Sequence, residues 1–108
     1  MANALQGRVA LVTGGGRGIG KAIAEGLAKA GAKVAITGRS APHLDETVAG
    51  IKSAGGEALG IAADITDQPA IQRVVSETER QLGPLSILVN NAAIEGPLGP
   101  LWLNDTAA

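Results

Sequence analysis

One stretch limits what this chain can become: Thr13-Gly14-Gly15-Gly16-Arg17-Gly18-Ile19-Gly20. It follows a continuously apolar run, Val9 to Val12, and leads into Ile19, Ile23 and Leu27 at helical spacing. An apolar run without polar alternation is the pattern of a parallel strand covered on both faces. Glycines at such a strand-to-helix junction have physical work to do. Gly14 can turn the chain off the strand at backbone angles that other residues avoid. The middle of the loop can bring N–H groups to an anion with no Cβ in the way, and Gly20 lets the helix pack closely. The helix N-terminus then faces the negative charge. A glycine cluster can also be a plain flexible turn, but the strand before, the helix after and the length of the unit supply the context that a phosphate-binding loop requires. A Walker-type loop is excluded, because no Gly-Lys-Ser/Thr follows at the required distance.

The same alternation runs along the chain. Gly31 stops the first helix, and Val34 to Thr37 reads as a second strand. Leu44, Val48 and Ile51 mark a second helix closed by Gly55 and Gly56, and Ala58 to Ala62 makes a weaker third strand. Asp67 or Thr66 can cap a third helix, with Pro69 in its first turn and Ile71, Val74, Val75, Thr78 and Leu82 as its stripe. Gly83-Pro84 ends that helix, and Ile87 to Val89 is a fourth strand. The order β-α-β-α-β-α-β with short connections demands a parallel sheet. Right-handed crossovers give strand order 3-2-1-4 in three α/β/α layers, the N-terminal half of a Rossmann-type doubly wound α/β fold. Residues 1–94 form one dinucleotide-binding unit. Residues 95–108 read as a substrate-side loop and the start of a further helix at Asn104 or Asp105.

Composition narrows the chemistry. Of 108 residues 45% are apolar, enough for a core, yet Trp102 is the only aromatic, so Ala, Val, Ile and Leu must fill the interior. A net charge of −1 leaves no basic footprint for nucleic acid and no polybasic membrane patch. With no cysteine and a single histidine, His43, a zinc site of nitrogen and sulfur ligands cannot be built. The N-terminal apolar run is too short for a signal peptide or a membrane span, which makes a cytoplasmic protein the expectation. His43, Asp45 and Glu46 are expected on the solvated face of the second helix.

The glycine spacing identifies a variant. Ile19 stands where G-x-G-x-x-G needs its third glycine, whereas Thr13, Gly14, Gly18 and Gly20 match T-G-x-x-x-G-x-G. This pattern, with Asp64-Ile65 and Asn90-Asn91-Ala92-Ala93 further on, resembles the short-chain dehydrogenase/reductase family up to about Ile94. Among members it looks most like the β-ketoacyl-carrier-protein reductase and sugar or alcohol dehydrogenase branch. The resemblance implies an oxidoreductase that reduces a carbonyl or oxidises an alcohol by hydride transfer, with a small-molecule substrate and a homo-oligomeric complete protein. It also implies that Asp64 accepts from the adenine amino group, that Ile65 packs on the ring, and that Asn91 supports the sheet and lines the cofactor beside the small Ala92 and Ala93. The family usually carries Gly where Ala93 stands.

The second strand ends in Gly38-Arg39-Ser40 with no carboxylate, the next one being Asp45 inside the following helix. A site preferring NAD places an acidic side chain there for the ribose hydroxyls. Arg39 offers a planar guanidinium for a 2′-phosphate, Arg17 can converge from the loop, and Ser40 can add a hydrogen bond. The alternative is a solvated loop arginine; NADP is favoured over NAD. The family's chemistry uses a Ser, an Asn and a Tyr whose acidity a Lys raises. The sequence has no Tyr and no Lys after Lys52, and its serines all precede the Asn90-Asn91 segment. The expectation is therefore a truncated, cofactor-binding segment inactive alone. A non-catalytic dinucleotide-binding module and an assembly fragment needing a complementary chain stand as alternatives.

Overall fold

The computed structural model describes residues 4–14, 16, 18–64 and 67–91. In chain order the elements are β1 (Val9–Thr13), α1 (Gly18–Lys29), β2 (Lys33–Gly38), α2 (Ala41–Ser53), β3 (Glu57–Ala62), α3 (Gln68–Leu82) and β4 (Ile87–Asn90). All three strand pairings are parallel and the sheet order is β3-β2-β1-β4, as the alternation of elements predicts.

Both faces of the sheet are covered, which is why β1 and β2 are apolar residue after residue. Side chains alternate across a strand. Val12, Val34, Ile36 and Ala58 meet Ala24 of α1 and Leu44 and Ile51 of α2 in one core. Val9, Leu11 and Ala35 meet Val74 and Leu82 of α3 in the other. The strands run beyond the apolar stretches because pairing, not hydropathy, sets their ends. Val9, Lys33 and Glu57 lie abreast at the start of the three strands, so the charged residues join the ladder.

Some expectations change. Ile71 is an exposed residue, and Ala70 takes its place in the α3 stripe with Val74, Thr78 and Leu82. The phase of the helix places the smaller side chain against the sheet and the larger one outside. Ile19 is 65% exposed at the start of α1, whose buried positions are Gly20 and Ala24. Asp67 occupies the cap position of α3 but makes no side-chain capping bond. Backbone closes the turn instead, with the Ala70 and Ile71 N–H groups donating to the Asp67 carbonyl at 3.0 and 3.1 Å. Thr66 and residues 95–108 lie outside the described residues.

Buried hydroxyls find partners within the fold. Thr78 donates to the Val74 carbonyl one turn back, at 2.7 Å. Thr37, fully buried in β2, donates to the Ile61 carbonyl of β3 at 2.7 Å. Thr37→Val should lower stability by about 1 kcal/mol, the ordinary net worth of a buried hydrogen bond. Urea unfolding followed by circular dichroism reads this directly, and an unchanged midpoint would show that the bond contributes nothing.

Candidate functional site

Because all four strands are parallel, their carboxyl ends share one edge of the sheet. Thr13 of β1 lies abreast of Thr37 and Asn90, and Gly38 lies abreast of Ala62. This edge gathers the loop after β1, the Gly38-Arg39-Ser40 corner, Asp64 and Asn91. It is the edge at which ligands bind in open α/β sheets, where the order of strands reverses across β1 and β4.

Gly14 leaves β1 at a φ of 71°, a left-handed angle that favours glycine. Its N–H donates to the Thr37 carbonyl at 2.7 Å, and its own carbonyl accepts from the Asn91 side-chain amide at 3.3 Å. Thr13 donates its hydroxyl to Asn90 Oδ1 at 3.1 Å, across the β1–β4 pair. Strand ends and loop are thus tied together before any ligand is considered.

Two glycines are held by space. A Cβ at Gly20 would lie 2.1 Å from the Gly14 carbonyl oxygen and 2.7 Å from Asn91 Nδ2. The close approach is therefore of helix α1 to the loop's own carbonyl, a sharper reason than helix-on-sheet packing. A Cβ at Gly16 would lie 3.0 Å from the His43 Cβ on α2. At these two points the backbone has no room for a side chain. Gly18 and Ile19 are exposed at the mouth. Gly15, Arg17, Ile65, Ala92 and Ala93 lie outside the described residues.

Electrostatics favour an anion here. Neither α1 nor α2 carries an acidic residue in its first turn, so neither helix offsets the positive potential of its own N-terminus. Arg39 is exposed at the end of β2, and Ser40, the residue before α2, makes no side-chain capping bond with that helix. Asp64 is exposed after β3, and its carbonyl accepts from the Asp67 N–H at 3.1 Å. On the exposed side of α3, the Arg80 guanidinium and then the Gln81 amide hold the Glu77 carboxyl below its ordinary range. No group of three or more His, Asp or Glu that could hold a metal occurs among the described residues.

Asp45 and Glu46 are exposed as expected, but His43 is not a solvated residue. It is half-buried against the loop, and its Nδ1 is buried without a hydrogen-bond partner among the described residues. Thr47 was missed altogether. It is fully buried on the face of α2 that also buries Leu44 and Ile51, with Val48 half-buried beside it. A hydroxyl inside an apolar stripe was the available signal.

Comparison with known proteins agrees with this geometry. Residues 8–106 match the family model described as short chain dehydrogenase. Hydroxynaphthalene reductase arp2 of Aspergillus fumigatus is 49% identical over 104 residues, covering 94% of this chain and 38% of that protein. A short-chain dehydrogenase/reductase homologue, YusS of Bacillus subtilis, is 47% identical over 88 residues, 81% of each chain. The solved hydroxysteroid dehydrogenase from Escherichia coli superposes with a TM-score of 0.83 at 38% identity, over 89% of this chain and 39% of that one. The chain spans little more than a third of the reductase and of the solved dehydrogenase.

Proposed function

The chain belongs to the short-chain dehydrogenase family, and from that premise we propose that it forms the part of the cofactor site that binds the adenosine and diphosphate of NADP. The observation that carries this reading is the loop from Gly14 to Gly20. Among its described residues, Gly14 turns off β1, its carbonyl is tied to Asn91, and Gly20 in the first turn of α1 admits no Cβ. Such a surface suits a diphosphate, which needs many donors and little bulk.

The remaining roles follow from chemistry. Thr13 and Gly14 fix the start of the loop, and Gly16, Gly18 and Ile19 form its described inner part and mouth. Gly15 and Arg17 complete it in sequence. Arg39 and Ser40 would hold the 2′-phosphate, the guanidinium supplying paired donors. Asp64 with Ile65 would hold the adenine, and Asn91 with Ala92 and Ala93 would border the adjoining ribose. When bound, the nicotinamide supplies or accepts the hydride. A complete protein containing this segment would reduce a carbonyl or oxidise an alcohol. The 108-residue polypeptide has no tyrosine to act as the family's acid, and we expect no turnover from it alone. That missing residue type also favours a second reading, a dinucleotide-binding module without catalysis.

Calorimetric titration of the purified chain with NADPH and with NADH tests the proposal. NADPH should bind at least about tenfold more tightly at low salt, as one charge-assisted contact to phosphate provides. Equal affinities would overturn the NADP assignment, and no binding of either would overturn the site. NADPH oxidation with a panel of carbonyl compounds, in protein freed of host reductases, should stay at background, and real turnover would refute inactivity.

A further inference from the structure

We propose that Thr47 is a positioning residue for the diphosphate loop, holding it against α2 through the Gly16 carbonyl; this deepens the cofactor reading and rests on it. Gly14 and Gly16 have no side chains with which to fix the loop, so its backbone at these points must be held from outside. On one side the Asn91 amide holds the Gly14 carbonyl. On the other the Thr47 hydroxyl lies 3.3 Å from the Gly16 carbonyl and 3.2 Å from the His43 carbonyl, so its single proton is shared between them. A helical threonine ordinarily bonds only to the carbonyl four residues back. The second acceptor, 31 residues away in sequence, is the unusual one.

The surroundings make the contact exacting. Thr47 has 0% exposure, so water cannot replace its hydroxyl. A Cβ at Gly16 would lie 3.0 Å from the His43 Cβ and 3.4 Å from Leu44 Cδ2, so the first turns of α2 and the loop already touch. Holding the Gly16 carbonyl therefore fixes where the loop lies against α2. The same helix begins directly after Arg39 and Ser40, which places the phosphate corner and the loop's outer support on one rigid element.

The test compares a ligand that contains the diphosphate with one that lacks it. NADPH and adenosine 2′-monophosphate are titrated calorimetrically into the wild-type chain, Thr47→Val and Thr47→Ser, with thermal unfolding recorded for each. Thr47→Val should weaken NADPH about fivefold, as loss of one hydrogen bond implies, and leave the monophosphate within about twofold. Thr47→Ser keeps the hydroxyl and should restore NADPH binding to within about twofold of wild type. If the valine variant does not fold, Thr47→Ala, which removes the hydroxyl without adding bulk, should show the same split. Equal weakening of both ligands, or unchanged NADPH binding in Thr47→Val, overturns the positioning role. Wild-type protein that binds neither ligand overturns the cofactor reading and this proposal with it.

Discussion

Gly20→Ala is expected to destabilise the chain by about 3 kcal/mol or more and to abolish NADPH binding. Helix propensity alone points the other way, since alanine is better than glycine inside a helix by about 1 kcal/mol. Sterics decide the sign. The added methyl would sit 2.1 Å from the Gly14 carbonyl oxygen, a backbone atom held by the Asn91 amide and next to the N–H bonded to Thr37. Relief requires moving α1 off the sheet or breaking the loop from its strand, and either disorganises the diphosphate cradle. Gly26 supplies the control on the same helix: it is exposed, with nothing within 4 Å of an added Cβ. Gly26→Ala should therefore stabilise by about 0.5 to 1 kcal/mol. Urea denaturation of both variants gives opposite shifts from one substitution type, and a Gly20→Ala midpoint at or above wild type would refute the close-contact account.

The contrast between those two glycines shows what a sequence exposes and what it hides. Strand order was legible because short βαβ units of fixed handedness leave few topologies, and the apolar runs at Val9 to Val12 and Val34 to Thr37 declare their burial. Gly14 was legible as a turn at a strand end. That Gly20 is held by the Gly14 carbonyl, while Gly26 is not held at all, depends on the approach of α1 to the loop, which no local pattern encodes. Thr47 and His43 were hidden for the same reason: their partner is Gly16, and the packing of α2 on the loop brings them together. Ile71 and Ala70 differ by one residue of helical phase, about 100° around the helix, which apolar spacing alone does not resolve. Strand ends at Lys33 and Glu57 were missed because backbone pairing continues past the last apolar side chain.

The fourth strand bears on how the chain behaves in solution. β4 pairs with β1 on one side, and no strand of the described residues lies on its other side. Leu88 on this edge is 50% exposed. An open edge bearing an apolar side chain invites pairing with another chain. Binding measurements on the isolated chain therefore call for dilute protein and a check of its mass in solution.

Arg39→Asp is expected to weaken NADPH binding about 100-fold while leaving NADH equal or tighter, inverting the preference. Two effects add. The substitution removes a charge-assisted contact to the 2′-phosphate, worth about 1.5 to 3 kcal/mol, and it sets a carboxylate against that phosphate. The same carboxylate can accept from the ribose hydroxyls of NADH, the role an acidic residue at this strand end plays in NAD sites. Arg39→Ala separates the two effects, because it removes the contact without adding repulsion; NADPH should weaken about tenfold and NADH should not change. Ionic strength gives an independent check. Arg39 is exposed, so its attraction for the phosphate is screened, and the wild-type preference for NADPH should shrink between 0.05 and 0.5 M salt, values chosen as roughly bracketing a Debye length of ten ångströms. In Arg39→Ala most of that salt dependence should disappear. If the alanine variant retained both the preference and its salt dependence, the 2′-phosphate would be read elsewhere on this edge, and Arg39 would be the solvated loop residue that its exposure alone allows.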